Sequence, residues 1–371
     1  MLNLERYQRQ ITLKSFGIEA QKKLASAKVL VVGAGGLGCP VLQYLTAAGV
    51  GNIGIIDDDK VSLSNLHRQI LFTSNDIGKL KTEAAFERLN AMNPEVQINI
   101  VSERITTKNA VEIISDYDVI IDCTDNFPTR YLLDDVSRIM EKPLIFGAIY
   151  QYEGQAAIFN VIDVDGFTTN YRHLFPEPPK PGEVPDCNDA GVLGVLPGII
   201  GTIQATETIK LITGTGNPLI NKLMTINILD YQTAIFQIPT ENLTNENIPS
   251  TLKEFERMNY ELHCGIKQKG ITNISSSEFK EIAELPDTVI IDVRETDELP
   301  KLELPYLSIP LSQLKENSNQ INKKNIIVVC QSGKRSMIGA QILKEILDQD
   351  YTIGHLEGGI NQLNKEINEQ D

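Results

Sequence analysis

VLVVGAGGLG, residues 29–38, joins a run of apolar residues to a glycine-rich turn. The run 29–32 is short and largely β-branched, the pattern of a buried strand, and helical spacing follows over 37–48. Gly33, Gly35, Gly36 and Gly38 lie between the two. Without side chains, their backbone N–H groups can approach an anion, and the helix dipole adds positive charge at the same place. Asp57 ends the next strand-like segment, about twenty residues on, where a carboxylate can hold ribose hydroxyls. These marks fit NAD and ATP alike, so the turn leaves open whether the chain is a dehydrogenase or an ATP-using enzyme. A glycine turn with no ligand is the plain structural alternative.

Working outward, strand-like segments alternate with helical ones. Residues 52–56, 96–101, 118–123 and 144–149 read as strands, and 79–90 as a helix. That alternation predicts an α/β fold, a doubly wound parallel sheet over about residues 1–240. The proline-rich stretch 175–191 reads as an extended loop, and 198–213 as a low-charge, buried helix. Residues 221–229 and 233–238 read as a closing strand pair. The polar, Asn-rich stretch 241–270 reads as a linker. A smaller α/β domain follows over 271–371, with strands at 289–292 and 326–329 and a helix at 334–347.

Length and composition agree with two domains, since 371 residues exceed one typical core. The net charge of −15 argues against a general nucleic-acid binder. No apolar stretch is long enough to predict a membrane span, and residues 1–10 lack the pattern of a secretory signal. The five cysteines, Cys39, Cys123, Cys187, Cys264 and Cys330, are scattered and odd in number, which suits reduced thiols in a cytoplasmic protein. Cys39 and Cys123 are expected to be packing residues.

The residues beyond Asp57 bear on the choice of nucleotide. Asn65 and Arg68 follow it, then Lys81, then Asp125 and Asn126. A triphosphate needs cations on its outer phosphates and a carboxylate for magnesium, which Arg68, Lys81 and Asp125 would supply. Each alone would pass as a surface charge. Together, near strand ends on one side of the sheet, they favour ATP.

RYQRQI (6–11), GAGGLG (33–38), DDDKVSLSNLHRQ (57–69) and CTDN (123–126) resemble the MoeB/ThiF family, the bacterial relatives of ubiquitin-activating enzymes. The similarity continues through EGQAAIFN (153–160) and AGVLGVLPGIIGTIQATETIK (190–210). The resemblance implies a Rossmann-like activating-enzyme fold that adenylates the C-terminal glycine of a ubiquitin-like sulfur carrier, MoaD-like or ThiS-like, with a Gly-Gly tail. It implies that Gly36 and its neighbours contact the nucleotide and Asp57 the ribose. Asn65, Arg68 and Lys81 would grip the phosphates, and Asp125 would hold magnesium. Arg9 would reach the triphosphate from the partner of a homodimer. Cys187, before AGVLG, matches a cysteine such enzymes use for a thioester or acyl disulfide with the carrier. The family also binds structural zinc through two CxxC pairs. Here these fall at NYRH (170–173) and ELHC (261–264), where Cys264 alone keeps a thiol. His173, Glu261 and His263 are possible ligands, but we read the zinc site as lost.

VVCQSGKRSM (328–337) ends a strand at Cys330 and opens a helix after a glycine turn. Backbone N–H groups, the helix dipole, Lys334 and Arg335 would favour a thiolate or persulfide there. The pattern of Cys330, Gly333, Arg335 and Ser336 resembles the active loop of a rhodanese domain. IIDVRE (290–295), IPLSQL (309–314) and HLEGGI (355–360) agree with it, and Asp292 and Arg294 are expected to be structural. Two features depart from the pattern: the approach to Ile309 is short, and no aromatic residue follows the Gly-Gly pair.

The fusion resembles molybdopterin-synthase adenylyltransferase/sulfurtransferases. It implies that an adenylated carrier takes sulfur from a Cys330 persulfide, the donor being thiosulfate or a cysteine desulfurase. An adenylating enzyme for a peptide or natural product, an NAD-dependent oxidoreductase and a non-catalytic scaffold are the competing readings.

Overall fold

Lys28–Val32 (β1) is buried at its last four positions because strands flank it on both edges and helices cover its faces. Asn52–Ile56 (β2) pairs with it in parallel from Lys28↔Asn52 to Val32↔Ile56. Val119–Asp122 (β4) pairs on the other edge from Val29↔Val119 to Val32↔Asp122. Gln97–Val101 (β3) lies outside β2, and Leu144–Tyr150 (β5) outside β4, both parallel. The structure, a computed structural model, describes residues 3–179, 191–240, 248–264, 271–347 and 350–368.

The sheet is only partly parallel. Glu153–Phe159 (β6), Lys222–Asn227 (β7) and Gln232–Gln237 (β8) extend it with antiparallel pairs, giving the order β3-β2-β1-β4-β5-β6-β7-β8. The reason is connection length. Two residues, Gln151 and Tyr152, separate β5 from β6, which allows a hairpin but no parallel crossover. The low-charge helix spans Val195–Thr213, and nine of its residues are buried. It packs against helix Gly38–Ala48 so closely that a Cβ on Gly201 would lie 2.4 Å from Leu37 O.

The chain divides into two compact units, residues 1–260 and 261–371. Within the polar stretch 241–270, Leu252–Arg257 forms a helix capped by Thr251, and Phe255 on it is fully buried. The second unit is built on a five-stranded parallel sheet. Its order is β11 (Leu307–Ser308), β10 (Thr288–Asp292), β12 (Asn325–Val329), β13 (Thr352–Leu356) and β9 (Ile271–Ile274). Helices Ser276–Ala283, Lys334–Ile346 and Gly359–Asn368 accompany it. Among the described residues, no helix is long and apolar enough to cross a membrane.

Candidate functional site

Strand order reverses direction between β1 and β4, which opens a crevice at the carboxyl ends of the strands. A cavity of about 730 Å³ lies there, lined by Gly33, Gly35 and Gly36 after β1, Asp57 after β2 and Cys123–Asn126 after β4. Two glycines are fixed by packing. Gly33 has φ +96°, and a Cβ on it would lie 2.8 Å from Cys123 O; a Cβ on Gly38 would strike Gly33 O at 2.0 Å. Gly35 is under no such constraint, its nearest neighbour being Gln69 Nε2 at 3.7 Å, and Gly35 faces the cavity.

Asp57 is tied to the turn. Its Oδ2 accepts a hydrogen bond from Ala34 N at 2.7 Å, and its Oδ1 accepts one from Asp59 N at 2.9 Å. Burial raises its carboxyl above the usual range, opposed by Lys81 and these two N–H groups. Lys81, 5% exposed, places Nζ 2.7 Å from Asp59 Oδ2 and 3.9 Å from Asp57 Oδ1. Arg68 donates to Ser64 O at 3.1 Å and lines the cavity with Asn65, whose Oδ1 accepts from Ser62 N at 3.2 Å. Asp125 is exposed at the cavity wall. Asn126 also lines it, and its Oδ1 caps helix Phe127–Ile139 by accepting from Thr129 N at 3.0 Å. Arg9 is exposed on the short helix Gln8–Ile11 and does not line this cavity. Cys187 lies outside the described residues. Cys39 and Cys123 are buried; burial pushes the Cys39 thiol up to about 12 and raises Cys123 as well.

Among the cavity residues that escaped the sequence reading, three bear on the charge around Lys81 and Asp125. Arg104 and Arg130 line the cavity, and Arg130 donates to Thr124 O at 3.1 Å with its guanidinium 5.6 Å from the Phe146 ring centre. Asp59, the partner of Lys81, is the third. The signal for Arg130 was its place in the first turn of the helix that starts beside Asp125.

The NYRH segment is engaged in other bonds. His173 Nδ1 lies 2.8 Å from Asn170 Oδ1 in a capping box. Arg172 is fully buried and grips Asp135 with Nε–Oδ1 3.0 Å and Nη2–Oδ2 2.7 Å, and Tyr260 donates its hydroxyl to the same Asp135 Oδ2 at 2.8 Å. Among the described residues, no group of three or more His, Cys, Asp and Glu could hold a metal ion.

In the second unit, Cys330 follows β12 and is fully buried. The loop closes through Gly333, at φ +85°, which begins helix Lys334–Ile346. Ile360 N donates to Cys330 O at 2.9 Å and Asn361 N to Gln331 O at 3.0 Å, so the Gly-Gly turn holds the loop from behind. A Cβ on Gly359 would lie 2.4 Å from Cys330 O. Asp292 and Arg294 form a buried ion pair at 2.8 Å, and Arg294 Nη1 donates to Gln331 Oε1 at 2.8 Å, bracing the loop. Lys334 is exposed. Arg335 is bound in two-pronged fashion by Glu298, with Nη1–Oε1 2.5 Å and Nη2–Oε2 2.6 Å, so a carboxylate offsets its charge. Ser336 Oγ lies 3.5 Å from Cys330 Sγ. Sequence reading passed over His355, whose Nδ1 lies 3.2 Å from Ser336 Oγ.

A doubly wound unit with a nucleotide-sized cavity, followed by a unit that presents a cysteine in a helix-opening loop, defines a nucleotide-using group-transfer protein with a thiol module. The chain belongs to the ThiF family, matched over residues 7–249, and carries a rhodanese-like domain over residues 275–366. The sulfur carrier protein adenylyltransferase of Thermus thermophilus is 46% identical over 268 residues, covering 71% of this chain and 97% of its own length. The adenylyltransferase and sulfurtransferase MOCS3 of Drosophila sechellia is 36% identical over 381 residues, covering 97% of this chain and 82% of its own. Among solved structures, E. coli MccB shares the fold of the first unit, with a TM-score of 0.55 at 23% identity over 64% of this chain and 72% of its own. The chain is an enzyme with adenylyltransferase and sulfurtransferase domains, and it uses ATP.

Proposed function

We propose that this enzyme activates the C-terminal glycine of a ubiquitin-like sulfur carrier and converts it to a thiocarboxylate. The observation that carries the reading is one chain holding both a cation-lined nucleotide cavity at the switch point and a buried cysteine in a rhodanese-type loop. The carrier's carboxylate attacks the α-phosphorus of ATP, the bond to the bridging oxygen breaks, and pyrophosphate leaves. The acyl-adenylate then takes sulfur. A Cys330 persulfide attacks the acyl carbon and AMP departs. A second thiol then attacks the Cys330 sulfur of the resulting acyl disulfide, which breaks the S–S bond, releases the thiocarboxylate and leaves a disulfide between the two thiols, opened again by an external dithiol reductant. Cys187 is our candidate for that thiol.

In this reading Gly35, Gly36 and Asp57 receive the nucleoside and α-phosphate end of ATP. Arg68, Lys81 and Arg130 offset charge on the phosphates, with Arg9 added from the partner of a homodimer. These groups bind and orient, which suits a reaction governed by positioning and charge neutralisation. Asp125, a hard oxygen donor at the cavity wall, fits magnesium held jointly with substrate phosphates. When bound there, the ion would offset charge on the leaving pyrophosphate. We read the zinc pairs as replaced by ordinary bonding and the compartment as the cytoplasm. Thiosulfate or a cysteine desulfurase would supply the sulfur.

The test is mass spectrometry of Gly-Gly-tailed carrier proteins incubated with the full chain, ATP, magnesium and a sulfur source. Replacement of one oxygen by one sulfur at the carrier's terminus is the expected result. ATP consumption with no change in any carrier's mass overturns the reading.

A further inference from the structure

Cys330, Ser336, His355 and Asn273 form one continuous polar chain inside the second unit. Cys330 Sγ is 3.5 Å from Ser336 Oγ, Ser336 Oγ is 3.2 Å from His355 Nδ1, and His355 Nε2 is 3.3 Å from Asn273 Oδ1. The members come from separate elements. Cys330 follows β12, Ser336 sits in the first turn of helix Lys334–Ile346, and His355 on β13 stands opposite Asn273 on β9 in the parallel register. Cys330 and Ser336 are fully buried, and His355 is 5% exposed. A position on a central, covered strand suits an aliphatic residue. A histidine there adds a ring nitrogen aimed at the hydroxyl that touches the sulfur.

Sulfur loading requires somewhere for a proton to go. Cys330 must lose its thiol proton before it attacks a sulfane sulfur, and the sulfur is closed off from bulk water. We infer that His355 takes and holds the Cys330 proton, through Ser336, for as long as the sulfur is a thiolate or a persulfide. The inference rests on the reading of Cys330 as the sulfur-carrying thiol. In the resting chain, the thiol donates to Ser336 Oγ, the serine hydroxyl donates to His355 Nδ1, and Nε2–H donates to Asn273 Oδ1. After transfer, the serine hydroxyl donates to the sulfur anion, and Nδ1–H donates to Ser336 Oγ. Asn273 accepts from Nε2 in both states, which fixes the ring and leaves Nδ1 to switch. Gly333 O, 3.0 Å from Ser336 Oγ, offers the hydroxyl a third direction.

Burial lowers the His355 ring's affinity for a proton, opposed by Glu357. Burial thus favours the neutral ring, which is the form that can accept. From the facing elements the groups on it are Ser336 and, behind it, Cys330, with Asn273 on the other side.

With thiosulfate as donor the step balances. The Cys330 thiolate forms a bond to the outer sulfur, the S–S bond of thiosulfate breaks, and sulfite leaves with the electron pair. The proton stays on His355 while the persulfide stands, and returns to Cys330 once the outer sulfur has been passed on and the sulfur is again a thiolate. His355 touches neither donor nor sulfur, so it is a positioning residue acting through Ser336.

The test uses the full chain with thiosulfate, measuring sulfite release and the Cys330 persulfide by peptide mass, from about pH 6 to about pH 9.5. His355→Gln should slow persulfide formation by about tenfold or more near pH 7 with the KM for thiosulfate unchanged, and the deficit should close as hydroxide replaces the ring as acceptor. Ser336→Ala should show the same deficit, and adding His355→Gln to it should cost nothing further, because the ring acts through the hydroxyl. Asn273→Ala, which leaves the histidine in place, should fall between and serves if the glutamine variant does not fold. A wild-type rate in His355→Gln, a deficit equal at every pH, or additive losses in the double variant overturns the inference. If the wild-type chain forms no persulfide that Cys330→Ala removes, the reading of Cys330 falls and takes the inference with it.

Discussion

The Lys81 ammonium is held 2.7 Å from the Asp59 carboxylate, with the lysine side chain 6% exposed and the aspartate 68% exposed. Both line the cavity, Lys81 buried in its wall and Asp59 largely exposed beside it, where its carboxylate steadies the ammonium. The two should therefore differ in importance. Lys81→Ala should lower kcat/KM for carrier-dependent ATP–pyrophosphate exchange by about 100-fold or more, the loss typical of a preorganised cation at a developing charge. Asp59→Asn keeps an acceptor and should cost less than about tenfold. Equal losses would mean that Asp59 handles the nucleotide directly.

Asp125 and Cys330 should separate the two half-reactions. Asp125→Ala should reduce exchange to background, and added magnesium should not restore it; exchange near wild type would remove Asp125 from the metal role. Cys330→Ala should leave exchange intact and stop thiocarboxylate formation from thiosulfate or a desulfurase, as read by carrier mass. Sulfur transfer that persists would assign the persulfide to another thiol.

The strands around the cavity were legible because their signals are local. β2 was read to the residue, and the glycines, Asp57 and Asp125 all sit just past apolar runs that mark strand ends. What was missed depends on partners brought from far along the chain. Helix Phe127–Ile139 carries Asp134 and Asp135 on a buried face, which looks polar until Arg172 and Tyr260 arrive to hold Asp135. Arg335 reads as free positive charge until Glu298, 37 residues earlier, clasps it. His355 reads as one letter of a loop signature until strand pairing sets it opposite Asn273, 82 residues away. The antiparallel end of the sheet turned on a two-residue connection that the strand pattern alone does not weigh.

Glu298 should act as a brake on the sulfur loop. Its bonds to Arg335 hold its carboxyl down at about 2, so the pair is fully charged throughout the working range. Both side chains are about a third exposed, at 36% and 29%, so breaking the pair should cost stability no more than about 1 kcal/mol. Glu298→Gln leaves the guanidinium uncompensated near Cys330. Persulfide formation from thiosulfate, an anion, should then rise by about two- to fivefold at low salt and return toward wild type at high salt. A slower reaction would mean that the pair's role is to shape the loop.

Asp134 should give the first unit an unusual pH dependence. The carboxyl is fully buried, its Oδ1 accepts from Tyr171 N at 2.8 Å, and burial with Asp135 alongside pushes it up to about 7. Unfolded, it titrates in the ordinary carboxylate range. Between that range and about pH 7 the folded chain keeps a proton that the unfolded chain has released, so this group's contribution to stability falls as pH rises and levels off above about pH 7. This is the reverse of the usual ion-paired carboxylate. Asp134→Asn keeps an acceptor for Tyr171 N and removes the titration. Its unfolding midpoint should match wild type near pH 4, where both forms are neutral, and exceed it near pH 8, where the wild-type carboxylate is charged and desolvated. The chain has no tryptophan, nine of its eleven tyrosines lie in the first unit, and Tyr131, Tyr171 and Tyr260 surround the site, so tyrosine fluorescence during urea unfolding reads chiefly the first unit. A constant offset between the two proteins across that pH range would mean that Asp134 is ionised in the fold, with Arg172 and Arg138 supplying the compensation.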